Sequence, residues 1–277
     1  MAEIAQLLRA GPNVDLGAID TRATPGFRGA KAEAQTAQPG LAERIATLQE
    51  QLYAEGRSGG ERRVLIVLQG MDTSGKGGTV KHVVGQVDPA GVRVVAFRSP
   101  TAEERRHEFL WRIRQRLPEP GMLAVFDRSH YEDVVAVRVR GIADRRTWSR
   151  RYTTINRFEE RLAANGTLIV KCFLHISPEE QRERLLARLE DPTKHWKYRP
   201  GDLEDRALWG DFMRAYEDAI ERCSSDAAPW YVVPADRKWY RNWAVSQLLI
   251  ERLEQLGLGW PAPAFDVEEQ KARLLSS

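Results

Sequence analysis

Residues 69–79 read Gln-Gly-Met-Asp-Thr-Ser-Gly-Lys-Gly-Gly-Thr. From Gly70 to Lys76 this is G-x-x-x-x-G-K, the spacing of a phosphate-binding loop without its final Ser or Thr. Glycines let successive backbone N–H groups turn inward around phosphate oxygens. A helix N-terminus behind them adds positive potential, and Lys76 adds a mobile full charge. Gly77 stands where a hydroxyl residue would normally hold Mg²⁺. A metal must then be held differently, and Asp72 inside the loop is the candidate. An acid among phosphates repels them unless a metal or an acceptor group compensates.

A second group is Phe126-Asp127-Arg128-Ser129, closing an apolar run. An acid at the carboxyl end of a strand in an open parallel sheet faces the ligand crevice. Asp127 can orient Mg²⁺ or its water, and Arg128 can reach a transferring phosphate. Alone, such an Asp is more often a helix cap or a turn residue; beside the glycine-rich loop the functional reading is favoured. A third group runs from Arg182 to Arg199. Arg184 and Arg188 share a helix face, with Leu185, Leu186 and Leu189 as the expected buried stripe. Lys194-His195-Trp196-Lys197-Tyr198-Arg199 then gathers cations without an acid. It reads either as a lid that closes over phosphates or as a solvated charged face. Arg105–Arg116 holds five Arg against one acid, and Arg138–Arg151 six against one. Both read as polyanion contacts or as solvated helix faces.

These groups need elements to place them. Val64–Leu68 is a wholly apolar run, as in a parallel strand covered on both faces. The glycine-rich loop follows it, and TVKHVVGQV reads as a helix. Further strands are expected at Val92–Phe97, Met122–Phe126, Thr167–Leu174 and Trp230–Val233. Helices are expected from Leu41 to about Gly56, from Thr101 to Leu117, and from Thr147 to Ala164. Three more are expected, from Pro178 to Leu189, from Glu204 to Arg222 and from Asp236 to Leu256. Thr101 with Glu104 and Ser177 with Glu180 have capping-box spacing. The alternation predicts an α/β fold, a doubly wound parallel sheet of about five strands with helices on both faces and a helical lid. The expected division is an N-terminal arm and helix over 1–60 and a P-loop domain over 61–277, with the lid at about 178–210.

The chain has 277 residues, enough to bury a full core without staples. Its formal charge of +3 excludes a histone-like or an acidic-tail protein but says nothing of local patches. Cys172 and Cys223 stand apart from any Cys/His cluster, so neither a zinc motif nor a disulfide scaffold is present. The five His show no metal spacing, and His130 is near Asp127 in sequence. Six of the eight Trp lie from Trp196 onward, where core packing is favoured over base stacking. No apolar run is long enough to span a membrane, and the first residues have no apolar signal core. The cytoplasm is the expected location.

Four segments, GMDTSGKGGT, FDRSHYED, DPTKHWKYRPGDLEDRALW and APWYVVPADRKWYRNW, together resemble the polyphosphate kinase 2 family, in the family's order. The resemblance implies a P-loop kinase-like fold with a helical lid. It also implies Mg²⁺-dependent phosphoryl transfer between inorganic polyphosphate and nucleotides (AMP, ADP, ATP), with Mn²⁺ as the alternative metal. By position it implies Asp72 and Asp127 as the acidic pair for metal and acceptor phosphate, and Lys76 and Arg128 as stabilisers of the phosphoryl group in flight. Arg184, Arg188, Lys194 and Lys197 are its lid cations. Gly70, Thr73, Ser74, Gly75, Gly77, Gly78, Thr79, Lys81 and Glu132 complete the candidate phosphate- and nucleotide-binding set. Ser129-His130-Tyr131-Glu132-Asp133 is similar to members acting on AMP and ADP. The family also implies a homo-oligomer. One rival is an ATP-dependent nucleotide or small-molecule kinase on the same fold; Asp72 and the missing hydroxyl at Gly77 argue against it. A nucleotide switch lacks its N-K-x-D motif here, and a nucleic-acid binder using the Arg stretches ranks lower.

Overall fold

Five apolar runs form five strands in the computed structural model, which describes residues 3–277: β1 (Arg63–Gln69), β2 (Val92–Ala96), β3 (Leu123–Asp127), β4 (Thr167–His175) and β5 (Trp230–Pro234). They pair in the order β2-β3-β1-β4-β5, all parallel. The described helices are α1 (Ile4–Leu8), α2 (Lys31–Arg57), α3 (Lys76–Thr79), α4 (Trp111–Arg114), α5 (Ala136–Val139), α6 (Arg145–Ala164), α7 (Pro178–Glu190), α8 (Gly201–Ala207), α9 (Trp209–Cys223), α10 (Lys238–Glu254) and α11 (Val267–Leu275). Side chains alternate across the pleat. Val64, Ile66 and Leu68 of β1 pack towards α2 and α10, whereas Leu65 and Val67 pack towards α4, α6 and α9. An uninterrupted apolar strand is what two covered faces require.

The register places the chemistry. Leu68 lies beside Asp127, and the Arg128 amide donates to the Leu68 carbonyl at 3.0 Å. The loop after β1 and the turn after β3 therefore open side by side at the carboxyl edge of the sheet, next to the central strand.

Several elements differ from the expectation. The helix ending at Arg57 begins at Lys31 and carries Pro39 within it, so a proline that usually stops a helix costs it one hydrogen bond instead. The Thr101–Glu104 capping box forms in both directions, at 2.8 and 3.1 Å. Only a 3₁₀ turn at Glu104–Arg106 and the single turn of α4 follow it. The helix after the glycine-rich loop is α3 with a π turn, Val80–Val84. The helix expected over 204–222 breaks at Leu208 into α8 and α9. Ser177 caps α7 by accepting from the Glu180 amide at 3.1 Å, but Glu180 binds Arg184 instead of closing the box. The N-terminal arm is packed down. Ile4, Ala5 and Leu8 are buried with α10 in the main core, and Arg9 bridges to the β5 edge at Tyr231.

Candidate active site

The loop after β1 is held open by its backbone. Gly70 has φ +144°, and a Cβ there would lie 2.6 Å from the Leu174 carbonyl oxygen. Gly75 has φ +105°, and its Cβ would fall 1.7 Å from Arg241 Nη1. Both positions need glycine for conformation and for space. Thr73 also takes a left-handed φ, +67°.

Two buried arginines lie behind this loop. Arg184 Nη1 donates to Thr73 O at 2.8 Å and to Ser74 O at 3.3 Å. Its Nη2 donates to Ala235 O and Asp236 O at 2.7 and 2.8 Å, and its Nε to Glu180. Arg241 Nη1 reaches Ser74 O at 3.4 Å. A planar trans peptide points its N–H opposite to its C=O. The Ser74 carbonyl pinned to these guanidiniums therefore turns the following amide of Gly75 away from them, whereas the Ser74 amide donates to Met71 O at 3.0 Å. The expected lid cation Arg184 is thus a clamp on the loop's back, with its donors engaged. Its burial and the Arg184 charge beside it lower Arg241 to about 10.

Inside the loop, Lys76 Nζ donates to Gly70 O at 2.7 Å and to Met71 O at 3.2 Å. Burial and the Arg128 charge lower its pKa, against the pull of Asp127, Asp72 and Glu132. Thr73 Oγ1 and Ser74 Oγ are buried with no partner among the described residues. Thr79 Oγ1 donates to Gly75 O at 3.2 Å. Gly77 faces open space, and Gly78 lies against Arg241. Lys81 lines a cavity described below.

Asp72 and Arg128 meet across the two loops, with Nη2 2.8 Å from Oδ1. Burial of Asp72 is outweighed by Lys76, Arg128 and Arg199, so its carboxyl is held below the usual range. Arg128 takes φ +64°. Its pKa is raised, because Glu132 and Asp72 outweigh its burial. With the Gln69 amide turned to the orientation that satisfies both its ends, its nitrogen donates to Glu132 Oε1 at 3.0 Å and its oxygen accepts from Ser129. Burial raises its pKa, against Arg128 and Lys76. Among the described residues no side chain hydrogen-bonds the Asp127 carboxylate.

The donors present fit Mg²⁺ better than a cage-bound metal. No cluster of three or more His, Cys, Asp or Glu suited to an ion exists among the described residues. Mg²⁺ is commonly held by one or two carboxylates, with phosphates and waters completing its shell. Asp127, free of partners, and Asp72 supply that type of donor.

The segment between β4 and β5 carries the remaining candidates. Arg188 Nη1 donates to Lys197 O at 3.0 Å and lies 3.5 Å from Asp202. Lys194 pairs with Asp191 at 2.7 Å, and Lys197 lies over the Trp196 ring. Leu185 is buried, but Leu186 and Leu189 are exposed, so the expected three-leucine stripe is one leucine wide. Besides Arg184, Arg199 of this segment reaches the loop, 3.7 Å from Asp72 Oδ2. Gln181 also donates to Asp72 O, at 3.2 Å. Gln181 is not among the sequence-derived candidates; Arg199 enters them only as the end of the cationic run, and Arg241 only through the KWYRNW segment. His130 points away from Asp127 and into the core, 3.1 Å from Glu159.

Seven of the eleven arginines in the Arg-rich stretches have partners within the protein, whereas Arg116, Arg145, Arg146 and Arg150 make no side-chain hydrogen bond or ion pair among the described residues. Arg112 donates to Arg98 O and lies near Asp133; Arg106 pairs with Glu103 and Arg114 with Glu108. Arg138 pairs with Asp218, Arg140 with Asp205, and Arg151 donates to Asp133 O. A different surface concentrates free cations. A cavity of about 1210 Å³ between α2, the π turn and the start of α10 is lined by Arg22, Lys31, Lys81, Arg237 and Lys238, among others. Two of its acids are engaged, Asp236 by Ser177 and Glu180 by Arg184. Burial lowers the Lys238 pKa, and its cationic neighbours Arg184, Arg241 and Lys194 lower it further, against the pull of Glu180. Lys238 therefore joins the cavity, the back of the loop and the lid in one positive field.

With this geometry, residues 28–257 match the family model described as polyphosphate kinase 2. The chain belongs to the polyphosphate kinase 2 family. It is 49% identical over 249 residues to an AMP/ADP-polyphosphate phosphotransferase of Meiothermus ruber, covering 90% of this chain and 92% of that one. It is 41% identical over 263 residues to an ADP-polyphosphate phosphotransferase of Rhodopseudomonas palustris, covering 91% and 89%. The crystal structure of polyphosphate kinase 2 from Arthrobacter aurescens superposes with a TM-score of 0.97 at 51% identity, over 99% of this chain and 97% of that one. The family's α/β fold and the five-stranded parallel sheet agree. No described helix is long and apolar enough to cross a membrane.

Proposed function

We propose that this member of the polyphosphate kinase 2 family transfers phosphoryl groups between inorganic polyphosphate and nucleotides, with AMP and ADP as acceptors and Mg²⁺ as the metal. The observation that carries the reading is the meeting of an acid-bearing phosphate loop with Arg128 at the carboxyl edge of the sheet, Asp72 and Arg128 being 2.8 Å apart. The name of the Meiothermus ruber relative, with 92% of its length matched, supports both acceptors.

Phosphoryl transfer asks for in-line positioning and cancelled charge rather than covalent help. The Gly75 amide, oriented by the hold of Arg184 and Arg241 on Ser74 O, and the amides that open α3 receive phosphate oxygens. Lys76, leaving its carbonyl partners, neutralises the equatorial oxygens, and Arg128 does so from the other side. Asp72 and Asp127 would hold Mg²⁺, which when bound polarises the transferring phosphate and offsets its charge. The orphaned Thr73 and Ser74 hydroxyls gain acceptors when phosphate enters. A polymeric donor needs a cationic track, and the cavity of Lys81, Lys238 and Arg237 supports one better than the ion-paired Arg stretches do. Exposed Trp260, Phe265, Leu274 and Leu275 near the C-terminus support a homo-oligomer.

The test is to incubate the pure protein with polyphosphate and Mg²⁺, and with AMP, ADP or GDP side by side, without ATP. ADP and ATP should appear from AMP, and ATP from ADP. No nucleotide product in any arm would refute the reading.

A further inference from the structure

Beneath the Arg128 turn lies a charged network with no access to solvent. Lys171 on β4 and Glu159 on α6 are 0% and 2% exposed, with Nζ 2.5 Å from Oε2. Lys171 uses its other donors on Tyr131 OH at 2.8 Å and Cys223 O at 2.6 Å. Its ammonium also lies 5.2 Å from the centres of the Tyr131 and Trp230 rings. Glu159 Oε1 accepts from Tyr131 OH at 2.9 Å and meets His130 Nε2 at 3.1 Å. Both partners of the pair thus converge on the two residues that follow Ser129.

Stability alone is a poor account of this arrangement. A buried ion pair is often no more stabilising than apolar side chains of the same volume, because desolvation offsets the attraction. Its specific effect is to fix positions. Here the fixed object is a strained one: Arg128 holds φ +64°, a conformation an L side chain rarely adopts. The turn is clamped at each end. Before it, the Arg128 amide is bound by Leu68 O. After it, Ser129 Oγ accepts from the Tyr131 amide at 3.2 Å, and the Glu159–Lys171 pair holds His130 and Tyr131.

We infer that Lys171 and Glu159 are positioning residues for phosphoryl transfer: through Tyr131 and His130 they keep the Arg128 turn strained, and so keep its guanidinium aimed at the phosphate loop. The inference rests on the reading of Arg128 given above. Loss of the anchor lets the turn relax, and Arg128 then meets the transferring group in fewer molecules. The signature is a fall in kcat at nearly constant KM, since the loop and the cationic cavity are untouched.

The experiment compares Lys171→Met/Glu159→Gln, which removes both charges at similar volume, with Tyr131→Phe, which removes one hydroxyl and keeps the ring. Each is made alone and in an Arg128→Lys background, with melting temperature recorded for every variant. In the folded single-background variants kcat should fall by about tenfold or more with KM for polyphosphate and ADP little changed. In the Arg128→Lys background the same changes should cost much less, because a residue that acts through another is non-additive with it. Wild-type kcat in a folded Lys171→Met/Glu159→Gln enzyme, or the same loss in both backgrounds, overturns the inference. If the double variant does not fold, Tyr131→Phe decides by the same two criteria. Wild-type kcat in Arg128→Lys and in Arg128→Ala would instead overturn the assignment of Arg128 itself, and the positioning role with it.

Discussion

The Arg128 guanidinium donates to Asp72 at 2.8 Å, so the loop after β1 and the turn after β3 share one ion pair before any substrate is present. Arg199 lies 3.7 Å from the other carboxylate oxygen of Asp72. The carboxylate is thereby kept ionised and poised between two cations that it must exchange, in part, for a metal. Asp72→Asn keeps the shape and one acceptor but loses the charge. Turnover with polyphosphate, ADP and Mg²⁺ should fall on the order of a hundredfold, the scale of losing one electrostatic stabiliser. The melting temperature should move little. Steady-state kinetics over a Mg²⁺ titration check it; unchanged turnover at all Mg²⁺ levels would remove Asp72 from the metal-positioning role.

Gly77 offers a sharper test of how the metal is held. A Cβ there meets nothing within 4 Å, and its φ is not in the left-handed region. Sterics therefore do not explain why a glycine replaces the usual hydroxyl residue. If the two carboxylates hold the metal, Gly77→Ser should fold normally and retain turnover within about threefold, since the added hydroxyl is redundant. Gly75→Ala is the contrasting control, because its Cβ would displace the buried Arg241. A large fall in the apparent Mg²⁺ requirement of Gly77→Ser would show that the hydroxyl site is used after all.

The parts of this site legible in the sequence are those written in contiguous residues. Gly70 to Lys76 and Phe126 to Ser129 each carry their chemistry within one loop, and strand periodicity fixes where such loops open. What was not legible depends on contacts across the chain. Arg184 has the helix-face spacing of a lid cation, but its guanidinium finds Thr73 O and Ala235 O, some 111 and 51 positions away. Arg-rich stretches could not be separated from phosphate tracks until Asp218, Asp205 and Asp133 were seen to face them. The helix expected over 101–117 had its capping box in place. Caps report where a helix can start, not how far it runs: only the single turn of α4 forms, with Leu110 and Ile113 in the core.

The buried pair has a consequence for acid stability. Burial pushes the Glu159 pKa up, but Lys171 and His130 outweigh it and hold it below the ordinary value of 4.5. A carboxyl whose folded pKa is depressed contributes stability above its unfolded pKa and loses it as pH falls through the folded value. At neutral pH, Glu159→Gln should therefore melt lower than the parent protein. The gap should narrow as the pH drops below about 4.5, where the parent loses the same contribution. Calorimetry between pH 3 and 7 checks the sign. A gap that widens on acidification would mean that Glu159 is not ionised in the fold.

Polyphosphate must enter by some surface, and charge alone separates the two on offer. Arg106 and Arg114 already have carboxylate partners, so a polyanion gains little from them. Lys238 has different surroundings: it makes no ion pair, and its burial with the charges of Arg184, Arg241 and Lys194 lowers its pKa against the pull of Glu180. A cation destabilised by other cations is relieved when an anion arrives, which makes Lys238 and Lys81 the more effective contacts. Lys238→Glu and Lys81→Glu should each raise KM for long polyphosphate by about tenfold, equivalent to ~1.4 kcal/mol. The KM for ADP should stay close to that of the parent, and added salt should shrink the difference. Arg106→Glu and Arg114→Glu should leave both constants within about twofold, as for substitutions of exposed paired charges. The reverse ranking, with the Arg variants raising KM and the Lys variants silent, would move the polyphosphate track to the other side of the sheet.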